Sequence, residues 1–193
     1  MPVSFGPSDV KNPRSYFWGP VPESYWLTKV FIFDFDWVVR EAELARHSMP
    51  DQAQAHSSLE GLKETFRMLR GFEVRLAMTS NFTQKQVVEK LHALNLAEDF
   101  DCIRCAEELP SLKPNPDLNF NVMETLGIRA LKAIAFETSP EGIEAARKAD
   151  VFCVVPPTLK GQGDYVLNSV TEEHLIGLLE KMDLQKRKIL SLL

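Results

Sequence analysis

Apolar residues occur along this chain in short runs that are separated by longer amphipathic stretches. The first run, Val30 to Phe33, holds four consecutive apolar residues that favour β structure, which is typical of a strand buried on both faces. Shorter runs of the same kind predict further strands over 74–78, 101–105, 133–136 and 151–155, with 165–167 as a last edge strand.

The stretches between these runs have the spacing of helices with one apolar face. Leu59, Leu62, Phe66 and Leu69 fall on a single helical stripe. Other helices are predicted over 83–94, 117–126, 141–148 and 171–179. Because strands alternate with helices, the predicted fold is α/β, a three-layer Rossmann-like parallel sheet with helices on both faces.

Two pairs of residues have the spacing of a capping box. Ser57 and Glu60 precede the stripe just described, and Thr83 and Gln86 precede the next predicted helix. In such a pair, each side chain accepts a hydrogen bond from the backbone amide of the other residue. We therefore expect one helix to begin near Ser57 and another near Thr83.

The first 28 residues differ from the rest because prolines and aromatic residues are interleaved there. Proline at this density disfavours helix and central strand, whereas the aromatic residues disfavour plain disorder. We therefore interpret residues 1–28 as an extended arm and residues 29–193 as the α/β domain. The aromatic side chains of the arm can pack on the chain's own core or on a partner protein.

Composition narrows the classes of protein to which the chain can belong. Of the 193 residues, 45% are hydrophobic and 25% are charged, as in an ordinary globular protein. The net charge of −5 gives no support for general nucleic-acid binding. No apolar stretch approaches the ~18 residues of a membrane span. The N-terminus also lacks the layout of a secretory signal, so we expect a protein that is neither membrane-bound nor secreted.

The three cysteines favour a reducing compartment, either the cytoplasm or the interior of a reducing organelle, over a disulfide framework. Cys102 and Cys105 have the CxxC spacing of some redox and zinc sites. They lie in a predicted strand, however, where residues three apart point to opposite faces. We therefore expect the two thiols to diverge.

Four polar segments stand out in chain order. Asp34 and Asp36 end the first strand, where carboxylates can hold a cation or act as a nucleophile. The hydroxyls of 79–81 precede a helix and suit a phosphate. Lys113 offers a positive charge in a proline-rich turn, and Glu137 follows another strand. Because open α/β sheets bind their ligands at the carboxyl ends of the strands, we expect these segments to converge.

Read with their neighbours, the four segments resemble the motifs of the haloacid dehalogenase (HAD) superfamily, nearest its phosphoglycolate phosphatase and β-phosphoglucomutase branch. The family's patterns DxDGT/V, an apolar run ending in Ser/Thr, KPxPD and FEDSPxGIEAA are similar to residues 34–39, 76–81, 113–117 and 136–146. The resemblance covers about residues 29 to 182 and implies a HAD-like α/β fold.

The resemblance also implies a phosphatase that works through an aspartyl-phosphate. Asp34 would attack phosphorus, and Asp36 would protonate the leaving oxygen and then activate water. Ser80, Asn81 and Lys113 would hold the phosphoryl oxygens. The expected substrate is therefore a phosphorylated compound.

The implied cofactor is Mg²⁺, and two positions near its ligands depart from the family pattern. The ligands would be Asp34, the carbonyl of Asp36 and Glu137. Thr138 stands where the family has a further Asp, and a hydroxyl is a poorer ligand, so we predict a weakened metal site. Trp37 replaces a family Gly, and its ring either points away into a groove or covers the site.

These departures leave two hypotheses of different class. The first is a HAD-type phosphatase with a weakened metal site and an open active site. The second is a HAD-fold protein that has lost catalysis and acts as a structural or binding subunit of a larger complex. The arm at residues 1–28 fits a protein partner under the second hypothesis.

The segment between the first motif and the following helix is short. A helical cap domain usually lies there in this branch of the family, whereas only residues 40–56 remain here, as a vestigial cap or flap. A cap excludes water and supplies substrate contacts. We therefore predict an open site whose substrate is bulky or macromolecular, or whose lid comes from a partner chain.

Overall fold

A computed structural model describes residues 28–47, 52–108 and 114–190 of the chain. The arm proposed for residues 1–28, except Thr28, and the site residue Lys113 lie outside the described residues. Both therefore stay predictions. Within the described residues the predicted α/β fold is confirmed.

Six strands of the described chain form one parallel sheet. Their bounds are β1 Val30–Asp34, β2 Arg75–Ser80, β3 Cys102–Cys105, β4 Ala133–Phe136, β5 Phe152–Val155 and β6 Tyr165–Val166. The strand order is β3-β2-β1-β4-β5-β6, and every neighbouring pair is parallel. The central strand β1 is buried along its whole length, as its apolar run predicts.

Helices cover both faces of the sheet. Their bounds are α1 Phe35–His47, α2 Gln52–Gly71, α3 Gln84–Ala93, α4 Asp117–Leu126, α5 Pro140–Lys148 and α6 Glu172–Leu190. Helices α1, α2, α3 and α6 pack on one face, and α4 and α5 pack on the other. A membrane-spanning helix, long and apolar throughout, does not occur in the described part of the chain.

The two faces of the central strands carry different cores. Phe31, Phe33 and Phe136 belong to an aromatic cluster beneath α1, α2, α3 and α6. Ile32 and Ala135 point the other way, into a cluster of smaller side chains beneath α4 and α5. This alternation follows from the two-residue period of a strand. We call the two sides of the sheet the aromatic face and the small-residue face.

The cysteines of β3 follow the same alternation. Cys105 lies in the core of the aromatic face, whereas Cys102 lies in that of the small-residue face. Both side chains are buried. The predicted divergence is confirmed, and these two side chains do not form a redox or zinc pair.

One of the two predicted capping boxes is confirmed, and the other is wrong. Thr83 accepts a hydrogen bond from the amide of Gln86, whose side chain accepts from the amide of Thr83. By contrast, α2 begins at Gln52, so Ser57 lies inside the helix and is not its cap. The polar and alanine residues upstream of Ser57 are compatible with helix and carry it across the predicted start.

The segment 40–56 consists of the end of α1 and the start of α2, with residues 48–51 outside the described chain. Helix α1 begins at Phe35, directly after β1. Trp37 and Val38 are buried in its first turns, and their packing extends the helix to the end of β1. Helices α1 and α2 pack against each other. The role of this segment as a reduced cap stays a prediction.

Candidate active site

The carboxylate of Asp34 lies at the carboxyl end of the central strand. Strand β1 is flanked by β2 and β4, and the register places Asp34 opposite Thr79 and Phe33 opposite Phe136. Glu137 directly follows Phe136, so three adjacent strands bring Asp34, Thr79 and Glu137 to one edge of the sheet. Asp34 is 8% exposed and Glu137 is fully buried.

The hydroxyl that shares a face with Asp34 belongs to Thr79 rather than to Ser80. Side chains alternate along β2, and Met78 lies in the core of the aromatic face, so Thr79 points to the small-residue face with Asp34. Ser80 points with Met78, because its strand partner Cys105 also lies on the aromatic face. The buried Thr79 hydroxyl has no hydrogen-bond partner among the described residues. The sequence signal for Thr79 is the alternation of side chains along β2: since Met78 is apolar and faces the core, the next residue, Thr79, faces the other side. The family motif by itself does not distinguish Thr79 from Ser80.

Ser80 is buried and closes the turn that follows β2. Its Oγ accepts a hydrogen bond from the amide of Phe82 at 3.0 Å. Phe82 is half exposed and packs edge to face on Phe35, with ring centroids 5.7 Å apart. The observed contact of the Ser80 hydroxyl therefore fixes the loop, and its predicted role as a phosphate ligand stays a prediction.

Thr138 contacts Asp34 directly across the sheet edge. Its Oγ1 donates a hydrogen bond to Oδ2 of Asp34. Thr138 lies two residues beyond β4 and is partly buried. The sequence pattern marks this position as a missing metal ligand, and the structure shows that its hydroxyl is also a hydrogen-bond partner of the candidate nucleophile.

The carboxylate of Glu137 lies against the first turn of α5. A Cβ atom added to Gly142 would collide with the carboxylate of Glu137, so the carboxylate would have to shift if this residue were larger than glycine. Ser139 is the N-cap of the same helix and accepts from the amide of Gly142 at 3.1 Å. The positive end of the helix dipole favours a carboxylate at this place.

The remaining predicted site residues lie at the surface or outside the described chain. Asp36 is exposed in the first turn of α1, and Asn81 is exposed in the loop after β2. Both can contact a bound substrate from the solvent side. Lys113 lies in the segment 109–113, which is not described.

Trp37 does not cover the site. Its ring is fully buried on the aromatic face, 5.6 Å from the ring of Phe136 and edge to face with it. The guanidinium of Arg40 lies 5.0 Å from the ring centroid. The indole therefore points away from the site, as one of the two expectations had it, but it fills the core between α1 and β4 rather than a groove.

The donors at this edge supply part of the ligand set that a cation needs. Magnesium takes oxygen ligands, and Asp34 and Glu137 supply two carboxylates. Among the described residues, no three His, Cys, Asp or Glu side chains are grouped so that they can hold a metal ion. Where the family has a further Asp, this chain has Thr138, whose hydroxyl donates a hydrogen bond to Asp34.

Comparison with known protein families gives one match that covers most of this site. Residues 36–155 match the family described as "Haloacid dehalogenase-like hydrolase". The matched region is well over half of the chain and runs from the first turn of α1 to the end of β5.

Several curated proteins are similar to parts of the chain. YhcW of Bacillus subtilis (strain 168) is 27% identical over 149 residues, 74% of this chain and 68% of its own length. The phosphorylated carbohydrates phosphatase of Thermotoga maritima is 29% identical over 91 residues, 47% of this chain and 42% of that protein. The phosphoglycolate phosphatase of Pseudomonas savastanoi pv. phaseolicola is 31% identical over 94 residues, 49% of this chain and 35% of that protein. The chain thus aligns with less than half the length of the last two relatives.

A solved structure has the same fold. The β-phosphoglucomutase of Clostridium difficile superposes with a TM-score of 0.59 and 15% identity, over 80% of this chain and 97% of that one. At this identity the likeness shows the architecture alone.

Proposed function

Because the chain belongs to the haloacid dehalogenase-like hydrolase family, we propose that it hydrolyses phosphoric monoesters of small molecules. One observation carries the proposal: Asp34 and Thr79 lie in register on one face of the sheet, at its carboxyl edge. A carboxylate nucleophile and a hydroxyl donor to the phosphoryl group are what such a reaction needs.

The proposed reaction takes place in two steps at Asp34. A carboxylate oxygen of Asp34 forms a bond to phosphorus while the bond between phosphorus and the leaving oxygen breaks. In the second step, the oxygen of a water molecule forms a bond to phosphorus, and the bond to Asp34 breaks. Inorganic phosphate leaves, and the carboxylate of Asp34 is regenerated.

Asp36 is the proposed general acid and base. Its carboxyl group gives a proton to the leaving oxygen in the first step, and the resulting carboxylate takes a proton from the attacking water in the second. Its exposed place in the first turn of α1, two residues beyond the nucleophile, supports this role.

The donors to the phosphoryl oxygens are proposed to come from β2 and from the loops beside it. The Thr79 hydroxyl is the donor that the register favours, and it has no competing hydrogen bond among the described residues. Asn81 and Lys113 retain the roles implied by the family resemblance. Ser80 is proposed to contribute through the loop that it fixes, together with the backbone amides there.

Phosphatases of this family typically depend on Mg²⁺, and we propose that this chain binds the ion weakly. Asp34, the carbonyl of Asp36 and Glu137 would hold it. When bound, the ion would offset the negative charge that nucleophile and phosphate bring together. Thr138 in place of a carboxylate supports the weak affinity.

The names of the relatives favour a small phosphorylated substrate over a macromolecular one. One relative is named for phosphorylated carbohydrates and another for phosphoglycolate. We therefore propose a sugar phosphate or a phosphorylated organic acid as the substrate class. A bulky phosphate would be favoured instead by turnover that rises with the size of the leaving group.

The test is steady-state phosphate release by the full chain with Mg²⁺ from an aryl phosphate, a set of sugar phosphates and phosphoglycolate. Asp34→Asn keeps the shape of the side chain but removes the nucleophile, so the rate should fall by about a thousandfold or more. Equal rates for the two proteins on every substrate would end the phosphatase proposal.

The second candidate function, a non-catalytic binding subunit, is favoured by one observation. The hydrogen bond from Thr138 ties up an oxygen of the residue that would act as nucleophile. Under this alternative, the same assay gives no difference between the native chain and Asp34→Asn, and the native chain copurifies with a partner that removal of residues 1–27 releases.

A further inference from the structure

The hydrogen bond between Thr138 and Asp34 joins the ends of two adjacent strands, β4 and β1. Its donor is a hydroxyl, and its acceptor is Oδ2 of a carboxylate that the family uses for a metal ion. We propose that the Thr138 hydroxyl and a divalent cation compete for this carboxylate, so that Thr138 is a positioning residue that takes the place of the metal.

The competition follows from the charges that the two partners present. The hydroxyl directs its partly positive hydrogen at Oδ2, and a cation approaching the same carboxylate meets that hydrogen. Hydrogen bonds to an ionised acceptor are stronger than neutral ones, and Asp34 is 8% exposed, so water screens the bond little. A cation therefore binds only after the hydroxyl has turned away or the carboxylate has moved.

The neighbours of Thr138 hold its backbone in place. Glu137 is fully buried, with its carboxylate against Gly142. Ser139, on the other side, is the N-cap of α5 and accepts from the amide of Gly142. Because both neighbours are held at the same helix turn, the backbone of Thr138 is kept close to Asp34, while its side chain can still rotate.

Competition by the Thr138 hydroxyl can be distinguished from the simple absence of a third carboxylate ligand. If Thr138 weakened the cation only because a carboxylate is missing, valine at this position would bind the cation no better than threonine. If the hydroxyl competes, valine, which has the same shape without the donor, leaves Oδ2 open to the cation. The two accounts therefore give opposite expectations for Thr138→Val.

The experiment measures Mg²⁺ binding rather than turnover. The full chain, freed of metal with a chelator, is titrated with Mg²⁺ by calorimetry, and the rise of its melting temperature with Mg²⁺ is recorded in parallel. The variants are Thr138→Val, Thr138→Ser and Thr138→Asp, each alone and combined with Asp34→Asn. Thr138→Ala replaces the valine variant if the latter does not fold.

We expect Thr138→Val to bind Mg²⁺ at least threefold more tightly than the native chain, and Thr138→Ser to match the native chain within twofold. Thr138→Asp should bind most tightly, and Asp34→Asn should abolish the differences. Equal or weaker binding by Thr138→Val, or no Mg²⁺ binding by any variant, overturns the proposal. The inference rests on the proposed function, because both concern the carboxylate of Asp34. The two can be tested separately, since a chain that releases no phosphate can still show the predicted order of Mg²⁺ affinities.

Discussion

The two strands beside β1 present the same functional group to Asp34 in opposite ways. On the β2 side, the hydroxyl of Thr79 shares a face with Asp34 and makes no hydrogen bond within the described residues. On the β4 side, the hydroxyl of Thr138 donates to Asp34. The hydroxyl on the β2 side is thus available as a donor, whereas the hydroxyl on the β4 side already donates to the carboxylate of Asp34.

This difference suggests the hypothesis that the two sides of the proposed phosphoryl-transfer site can change separately. The β2 side keeps the residue types of the family motif, so its capacity to bind a phosphoryl group is expected to be intact. The β4 side keeps Glu137 but has a neutral group next to it, so its capacity for a cation is expected to be reduced. Substitutions on one side should therefore leave the other side's property unchanged.

The largest effect is expected on the β2 side from Thr79→Val. Loss of a preorganised donor to the phosphoryl group should lower kcat by about 100-fold to 1000-fold. The same change should leave the free energy of unfolding unchanged or raise it, because a buried hydroxyl without a partner is costly. Phosphate release and urea unfolding of the same preparation check both expectations.

Ser80→Ala is the matched control for Thr79→Val. It leaves the amide of Phe82 without its acceptor, so it should lower the free energy of unfolding by about 1–3 kcal/mol. Its effect on kcat should be smaller than that of Thr79→Val. If Ser80→Ala costs more activity than Thr79→Val, the assignment of the phosphoryl donor to Thr79 is wrong.

A smaller effect is expected on the β4 side from Gly142→Ala. The added methyl group would collide with the carboxylate of Glu137, and overpacking of this kind costs about 1–3 kcal/mol. The better helix propensity of alanine offsets part of the cost, about 1 kcal/mol. We therefore expect a net loss of stability, together with weaker Mg²⁺ binding because Glu137 is displaced.

Gly177→Ala is the control for that change. Gly177 also lies within a helix, but a Cβ atom there would meet nothing within 4 Å. Alanine at position 177 should therefore raise the free energy of unfolding by about 0.5–1 kcal/mol. Equal responses at the two glycines, measured by urea unfolding, would show that the carboxylate of Glu137 does not depend on the space at Gly142.

The sheet could be predicted from sequence because its strands are short and buried on both faces. All four residues from Val30 to Phe33 are apolar, so neither face of this strand is suited to solvent, and the helices between the strands have clear stripes of apolar residues. Helix starts were less secure, because Ser57 and Thr83 carry equally good capping signals. Only Thr83 lies at a true start, since the residues before Ser57 continue the helix.

The site was predicted at the level of strand ends but not of side-chain direction. The motif identified the stretch that contains Thr79 and Ser80, and only the register with Asp34 shows which hydroxyl lies beside the carboxylate. The burial of Trp37 depends on a space between α1 and Phe136 that no local pattern encodes. The bond from Thr138 spans 104 positions of sequence and arises from strand pairing alone.

The smallest effect is expected from an acidic residue on a short turn between α3 and β3, away from both sides of the site. Burial raises the pKa of Asp99 above its ordinary value, and Lys63, Arg70 and Arg67 offset this shift only in part. A carboxyl group whose pKa is higher in the folded than in the unfolded chain contributes stability at low pH that is lost as the pH rises through the folded-state pKa. Asp99→Asn removes this loss, so the unfolding free energy of the variant minus that of the native chain should increase from about pH 4 to about pH 7.

Urea unfolding at several pH values measures this difference in unfolding free energy. A difference that stays constant or falls as the pH rises contradicts the assignment to Asp99. Because Asp99 contacts neither Thr79 nor Thr138, the same variant should leave phosphate release and Mg²⁺ affinity unchanged. A pH effect on stability can thus be distinguished from the effects of substitutions on the two sides of Asp34.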